Sequence, residues 1–282
     1  MAEHDVDSGV SRGTLYVVAT PIGNLADASP RSAEMLRGVD LIACEDTRTT
    51  RTLLSHLGIS TRTVALHEHN ERDAAAGLIE TLRSGKSVAL VSDAGTPGIA
   101  DPGALLVAEA HRAGIRVTPI PGPSAAAAAF SAAGFAAPGY RFAGFLPASG
   151  AARRKALEAL DGPLPVVVYE APHRIARTLA ELAAHFGPKR EVVLARELSK
   201  KFEEVARMPL GAAKAWLAGP HREQGEFVIV LSASEAAAPV DADRVLKILL
   251  EALPPSDAAK LAARITGVSK GELYRKALSR RK

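Results

Sequence analysis

Apolar and polar positions along this chain follow two alternating rhythms. The runs TLYVVAT (14–20), DLIACE (40–45), TVAL (63–66), SVALV (87–91) and RVTPI (116–120) are short, apolar and rich in branched side chains, which predicts strands. Between them, SPRSAEMLRG, TRTTRTLLSHLG, ERDAAAGLIETLRSG and DPGALLVAEAHRAG space their apolar residues at helical intervals. Several begin or end on Ser, Pro or Gly, as helix termini require. Strand–helix alternation of this kind predicts a mostly parallel sheet covered on both faces. After about residue 125 the rhythm changes. RFAGF (141–145), PVVVYE (165–170), EVVLARE (191–197), KFEEVAR (201–207) and GEFVIVL (225–231) predict a second α/β unit. Its last three strands follow one another closely, so that sheet is expected to be mixed. SASEAAAPVDA (232–242) reads as a linker before a helical tail. The expected organisation is a disordered leader over 1–12, α/β domains over 13–124 and 125–235, and a linker with a basic helical tail over 236–282.

In open α/β sheets ligands lie beyond the carboxyl ends of the strands. Five consecutive predicted strand ends carry unusual residues: TPIGN (20–24), CEDTR (44–48), HEHNE (67–71), SDAGTPGIADPG (92–103) and PGPSAAA (121–127). In the fourth, Gly95, Gly98 and Gly103 permit tight turns and close backbone approach. A phosphate is the usual guest of such a loop, but no Gly-Lys-Ser/Thr follows, and Asp93 and Asp101 would repel an anion. The loop suits a neutral or cationic ligand.

Composition narrows the class. The chain has 282 residues, 47% of them apolar, enough for one large or two medium domains. Cys44 is the single cysteine, which excludes an intramolecular disulfide and a cysteine-based zinc site; LIACED suggests a buried, inert thiol. The first residues are polar and lack an apolar signal segment. The uncharged run at 121–140 is Ala-rich and broken by Gly and Pro, which predicts a buried helix of small residues rather than a membrane span. A cytoplasmic protein fits. Net charge is +4, but residues 254–282 hold eight basic and two acidic side chains, so the tail is +6 and the remainder −2. Such a tail is either a solvated helical surface or a contact for a polyanion. Ser269 and Glu272 make a capping box between its two predicted helices, a helix-turn-helix layout.

Several residues could carry chemistry. His67 and His69 alternate along an extended stretch, yet a metal needs further ligands, and a polar cleft wall is the better reading; no metal is expected. Glu45 and Asp46 could form an acid–base pair, although Asp46 also stands where a helix cap belongs. Glu170, His173 and Arg174 sit at another strand-to-helix junction, serving either a ligand or a domain contact. No Gly-x-Ser-x-Gly elbow supports a serine hydrolase, and the first strand lacks the Gly-x-Gly-x-x-Gly of a dinucleotide site.

TPIGNLADASPRSAEML, IACEDTRTT, LHEHNE, LVSDAGTPGIADPG, PIPGPSAA, YEAPHRI and LARELSKKFEE together resemble the tetrapyrrole methylase superfamily, within it the ribosomal RNA small-subunit methyltransferase I branch. The resemblance runs from about residue 13 to the end. It implies two α/β domains of tetrapyrrole-methylase type, a homodimer, and S-adenosylmethionine in the cleft between domains. It also implies methylation of a ribose 2′-hydroxyl on a decoding-centre cytidine of 16S rRNA, with the small ribosomal subunit as partner. By that resemblance Pro21, Asp93, Ala94, Gly95, Ile99, Ser124, Ala125 and Tyr169 approach the cofactor, with Ala195, Gly225 and Glu226 as weaker choices. The sulfonium cation answers the question raised by the two aspartates of the glycine-rich loop.

Alignment of oxygen, carbon and sulfur supplies much of the acceleration in such a transfer. A base for the hydroxyl adds more, and Glu45, Asp46, His67 and Glu197 are the expected choices. Arg48, Arg174, Arg196 and Lys200, with Arg153, Arg154 and Lys155 of the ARRK run, are expected to hold RNA. Aromatic content is only 4%, so shape and phosphate contacts are expected to outweigh stacking. The rivals are a methyltransferase for a corrin or porphyrin precursor and a non-catalytic ribosome-binding protein on the same fold.

Overall fold

A computed structural model describes residues 9–67, 70–234 and 242–279. Residues 1–8 of the expected leader lie outside those residues, as does most of the expected linker, whereas the Ser11 N–H donates to the Tyr16 hydroxyl at 2.8 Å. The chain forms two compact units, one over 1–160 and 165–232, the other over 161–164 and 233–282.

The larger unit holds two five-stranded sheets. The first contains β1 (Thr14–Val18), β2 (Leu41–Cys44), β3 (Thr63–Ala65), β4 (Val88–Val91) and β5 (Arg116–Ile120) in the order β3-β2-β4-β1-β5. All its pairings are parallel. Helices α1 (Pro30–Gly38), α2 (Thr47–His56), α3 (Glu71–Arg83) and α4 (Ala104–Arg112) cross between strands. Because successive side chains point to opposite faces, each strand feeds two cores. Tyr16, Ile42, Ala89 and Val91 pack toward Leu36 and Leu53 of α1 and α2. Leu15, Ala43, Val88 and Leu90 pack toward Leu78, Leu82 and Leu106 of α3 and α4. Pro119 is tolerated because β5 is an edge strand. Cys44 is fully buried, and burial raises its thiol pKa, as an inert core thiol requires.

The second sheet contains β6 (Arg141–Phe145), β7 (Val166–Glu170), β8 (Glu191–Arg196), β9 (Glu204–Pro209) and β10 (Phe227–Leu231), ordered β6-β7-β10-β8-β9. Only β6–β7 is parallel, so the sheet is mixed. One face packs on α6 (Gly150–Glu158), α7 (Ile175–Phe186) and α8 (Leu210–Leu217); the other receives α5 (Ala125–Ala133). Ala126, Ala129 and Ala133 let α5 lie close against Val167, Val228 and Val230. That is the interior use expected for the Ala-rich run, and no described helix is long and apolar enough to cross a membrane. The predicted strand at 201–207 begins only at Glu204. Glu197 and Ser199 adopt left-handed backbone (φ 50° and 65°), and Arg196 Nη1 donates to the Phe202 carbonyl, so the segment turns instead of pairing.

The smaller unit is a bundle of α9 (Ala242–Leu250), α10 (Pro255–Thr266) and α11 (Lys270–Ser279) around Leu246, Ala258, Ala262 and Leu273. Gly267 ends α10 at φ +74°, and the Glu272 N–H donates to Ser269 Oγ at 3.2 Å, the predicted start of α11. Arg280, Arg281 and Lys282 of the basic tail lie outside the described residues.

Candidate active site

The loops at the carboxyl ends of the first sheet are stitched together by backbone. Thr20 N–H donates to the Gly95 carbonyl at 2.8 Å, and Gly95 N–H donates back at 3.1 Å. Thr20 Oγ1 donates to the Ser92 carbonyl at 3.2 Å, and Thr96 Oγ1 to the Pro123 carbonyl at 3.1 Å. Gly95 sits at φ +82°, where a side chain would be strained, and an added Cβ would press on Ile22 at 3.4 Å. From the second sheet, the Tyr169 hydroxyl accepts the Ala126 N–H at 3.1 Å, while Ser124 caps the same helix. Burial raises the Tyr169 pKa, so its hydroxyl stays neutral.

These parts enclose a pocket of about 320 Å³. Ala94, Gly95, Ile99, Ser124, Ala125, Tyr169, Ala195 and Glu226 of the expected cofactor residues line it. Pro21 is buried beside it, and its neighbour Ile22 does the lining. Asp93 does not line it; its carboxylate accepts the Asp46 N–H at 3.0 Å. Gly225 stands behind the wall at φ +86°, where an added Cβ would come within 2.6 Å of Glu197 Oε1. Asp101, Thr96, Leu198 and Phe145 also line it and were not among the expected cofactor residues. Asp101 and Thr96 belong to the glycine-rich loop, so proximity in sequence was their signal. Phe145 had none except the Gly144 before it.

Among the four expected bases the environments differ. Glu45, at the end of β2, has its pKa raised by burial and then by the charges of Asp93 and Asp101. Asp46 caps α2 through the Arg48 N–H at 2.8 Å and pairs with the Arg48 guanidinium at 2.7 Å; those hydrogen bonds hold its pKa down at about 2. Glu197 is pushed up by burial, but the Glu226 N–H at 2.9 Å and Lys200 Nζ at 2.9 Å outweigh that and hold it low. His67 donates its N–H to Asn70 Oδ1 at 2.8 Å and does not line the pocket. Glu68 and His69 of the considered metal motif lie outside the described residues. Among the described residues no group of three potential ligands assembles.

The basic residues divide sharply. Arg153 is 2% exposed: Nε meets Glu181 at 2.7 Å, Nη2 meets Thr178 Oγ1 at 2.7 Å, and Nη1 meets the Pro147 carbonyl at 2.9 Å. Arg196 is 7% exposed and donates to the carbonyls of Gln224, Phe202 and His221. Both guanidiniums, expected to contact RNA, are buried and engaged by acceptors of their own chain. Arg174 pairs with buried Glu170 at 3.0 Å, and Glu170 also lines the pocket. Glu170 also accepts from Thr178 at 2.6 Å. Lys200 bridges Glu197 and Glu226, each at 2.9 Å. Arg48, Arg154 and Lys155 are exposed.

Residues 14–214 match the family model for Tetrapyrrole (Corrin/Porphyrin) Methylases, and residues 236–281 match the RsmI C-terminal HTH domain. A Pseudomonas aeruginosa protein named ribosomal RNA small subunit methyltransferase I is 49% identical over 96% of this chain and 99% of its own length. The chain belongs to the tetrapyrrole methylase family. The same name is carried by relatives from Escherichia coli O157:H7, 48% identical over 95% of this chain and 96% of theirs, and Xylella fastidiosa Temecula1, 51% over 93% and 98%. These place it in the small-subunit rRNA methyltransferase branch of that family. Among solved structures, diphthine synthase aligns at TM-score 0.60 with 18% identity over 78% of this chain and 89% of its own. Thermus thermophilus uroporphyrin-III C-methyltransferase with bound S-adenosylhomocysteine aligns at 0.54 with 17% identity over 77% and 96%. At such identities they establish the shared fold.

Proposed function

We propose that this protein methylates the ribose 2′-hydroxyl of a decoding-centre cytidine in 16S rRNA, acting in the cytoplasm as a homodimer on the small ribosomal subunit. Its cofactor is S-adenosylmethionine, which supplies an electrophilic methyl group on a sulfonium. The carrying observation is the chemistry of the pocket wall. Among the described residues no Lys, Arg or His lines it, so nothing there would hold a polyphosphate, whereas Asp101 presents a carboxyl group and small residues admit close backbone approach. The other lining carboxylates, Glu170 and Glu226, are paired with Arg174 and Lys200. Ala94, Gly95 and Ile99 from one sheet and Ala125, Tyr169 and Ala195 from the other are positioned to hold the cofactor.

Glu45 stands outside the pocket lining, beside Asp93 and Asp101, and of the expected bases it is the one we assign to the hydroxyl proton. A base works best with a pKa lifted toward the working pH, and Glu45 is the one expected carboxylate moved that way. Asp46 and Glu197, held low by their donors, are weak bases and serve as a helix cap and a loop clamp. Exposed Arg48, Arg154 and Lys155 hold rRNA phosphate. The two-domain division near residue 124 sets the two halves of the cofactor wall, and the basic tail provides a further rRNA grip.

Radiolabelled S-adenosylmethionine offered to small subunits lacking the modification, to naked 16S rRNA and to a porphyrinogen tests this reading. Label on a cytidine 2′-oxygen of subunit rRNA is the expected result. Label on the porphyrinogen alone would overturn the substrate, and label nowhere despite cofactor binding would favour a non-catalytic ribosome-binding protein.

A further inference from the structure

Phe145 is 55% exposed, yet it is no stray surface residue. It lines the cofactor pocket at the carboxyl end of β6 and stands edge-on to Tyr169, with ring centroids 5.6 Å apart and planes at 68°. Phe142 meets the same tyrosine at 4.9 Å and 67°. In a regular strand residues three apart face opposite ways, so both phenylalanines could not reach one ring. A bulge resolves this. Phe142 pairs with Val167, Gly144 with Val168 and Phe145 with Tyr169, so β6 spends one residue more than β7 over that interval. Gly144, at φ +62°, takes the backbone conformation that the irregularity demands. The register shift therefore turns Phe145 onto the face that carries Tyr169 and the pocket. Bulges that re-aim a side chain in this way are characteristic of functional rims.

What such a ring contacts follows from its place. Ala94, Gly95, Ser124, Ala125 and Ala195 give part of the pocket wall small side chains, and Tyr169 meets the Phe145 ring at a steep angle while Phe145 stays exposed at the rim. Ile99, 51% exposed, adds a second exposed large apolar side chain to the same pocket lining, from the first sheet's loop. Neither offers a hydrogen bond or a charge, and among the described residues the lining brings no cation beside them to hold a phosphate. A flat, neutral ring arriving beside the cofactor suits this lip. The methyl acceptor must come to that position, and its ribose carries a nucleobase.

We infer that Phe145, aimed by the β6 bulge, is a stacking platform for the base of the target nucleotide, with Ile99 as its apolar companion. The inference rests on the rRNA reading above and adds the residue that seats the acceptor. It also revises an expectation from composition: low aromatic content argues against an extended stacking surface, but one ring at the site of reaction is enough for one splayed base.

The test is steady-state methyl transfer to small subunits by Phe145→Ala, Phe145→Leu, Phe145→Tyr and Phe145→Trp, with S-adenosylhomocysteine affinity measured by calorimetry and oligomeric state by sedimentation. Leu keeps apolar bulk without a ring face, so it separates stacking from packing. Ala and Leu are expected to raise KM for subunits roughly 5- to 100-fold, while Tyr and Trp stay within about threefold of wild type. Affinity for S-adenosylhomocysteine should be unchanged throughout, which also certifies folding. Full activity in Phe145→Leu would overturn the inference. So would a parallel loss of S-adenosylhomocysteine affinity, which assigns the ring to the cofactor, or a changed oligomeric state, which assigns it to a second copy of the chain. Failure of the wild-type protein itself to label subunit rRNA would remove the rRNA reading and this inference with it.

Discussion

Glu45 and Asp46 are adjacent in sequence and opposite in chemistry. Asp46 accepts from the N–H and guanidinium of Arg48, so it stays ionised until the pH falls to about 2. Glu45 has burial and the carboxylates of Asp93, Asp101 and Asp46 against its charge. A proton acceptor must be ionised, so activity should fall as pH drops through the raised Glu45 pKa, an acid limb lying above the ordinary carboxylate range. Glu45→Gln should lose about 10²–10⁴-fold in kcat and abolish that limb, which a pH–rate profile in single turnovers would reveal. The linkage has the reverse sign for stability. A carboxyl whose pKa is raised by folding stabilises the fold below its unfolded pKa and loses that contribution as pH rises through the folded pKa. Glu45→Gln should therefore melt at or above the wild-type temperature at neutral pH, a lead that shrinks toward acid pH. A variant that is inactive and also unstable would point to a structural role. The sequence showed the capping position of Asp46; it could not show that Asp93 and Asp101, far along the chain, face Glu45.

At the scale of elements, the junction of β7 with α7 is held from α6. Glu170 accepts from Arg174 and Thr178, Thr178 accepts from Arg153, and Arg153 also pairs with Glu181. ARRK reads as a basic run, but helical periodicity sends Arg153 inward and leaves Arg154 and Lys155 outside. Arg153→Met should cost about 3 kcal/mol in chemical denaturation, because it strands buried acceptors, while the KM for subunits in the folded fraction stays unchanged. A raised KM with wild-type stability would restore the RNA role for Arg153. Strands and helices of the first sheet were legible because each core has its own alternation of side chains. The turn at 197–203 was not, since its left-handed Glu197 and Ser199 depend on what Arg196 and Glu226 hold in place. The β6 bulge was equally hidden: RFAGF gives a strand, whereas the register against β7 decides which way Phe145 points.

For the whole molecule the question is what the second unit adds. Its three helices enclose their own small core, and Lys270 and Arg275 are exposed on α11. If they touch rRNA phosphate, replacing both with Glu should raise the KM for subunits and flatten its salt dependence by about one unit of slope per lost contact. Measured between low and physiological salt, an unchanged slope would leave α11 as a structural helix alone. Cofactor binding should be indifferent to this change, because every residue of the pocket belongs to the larger unit.

The sequence by itself determined the two successive α/β sheets, the cluster of special residues at the strand ends, the basic tail and the family. These follow from local periodicity, turn chemistry and motif order, all of which are properties of neighbours along the chain. Only the tertiary structure decided which carboxylate is desolvated, which arginines are buried and engaged within the chain, and which aromatic ring stands at the pocket rim. Those outcomes depend on dielectric, competition among hydrogen-bond partners and strand register, and each is set by residues that the chain brings together from a distance.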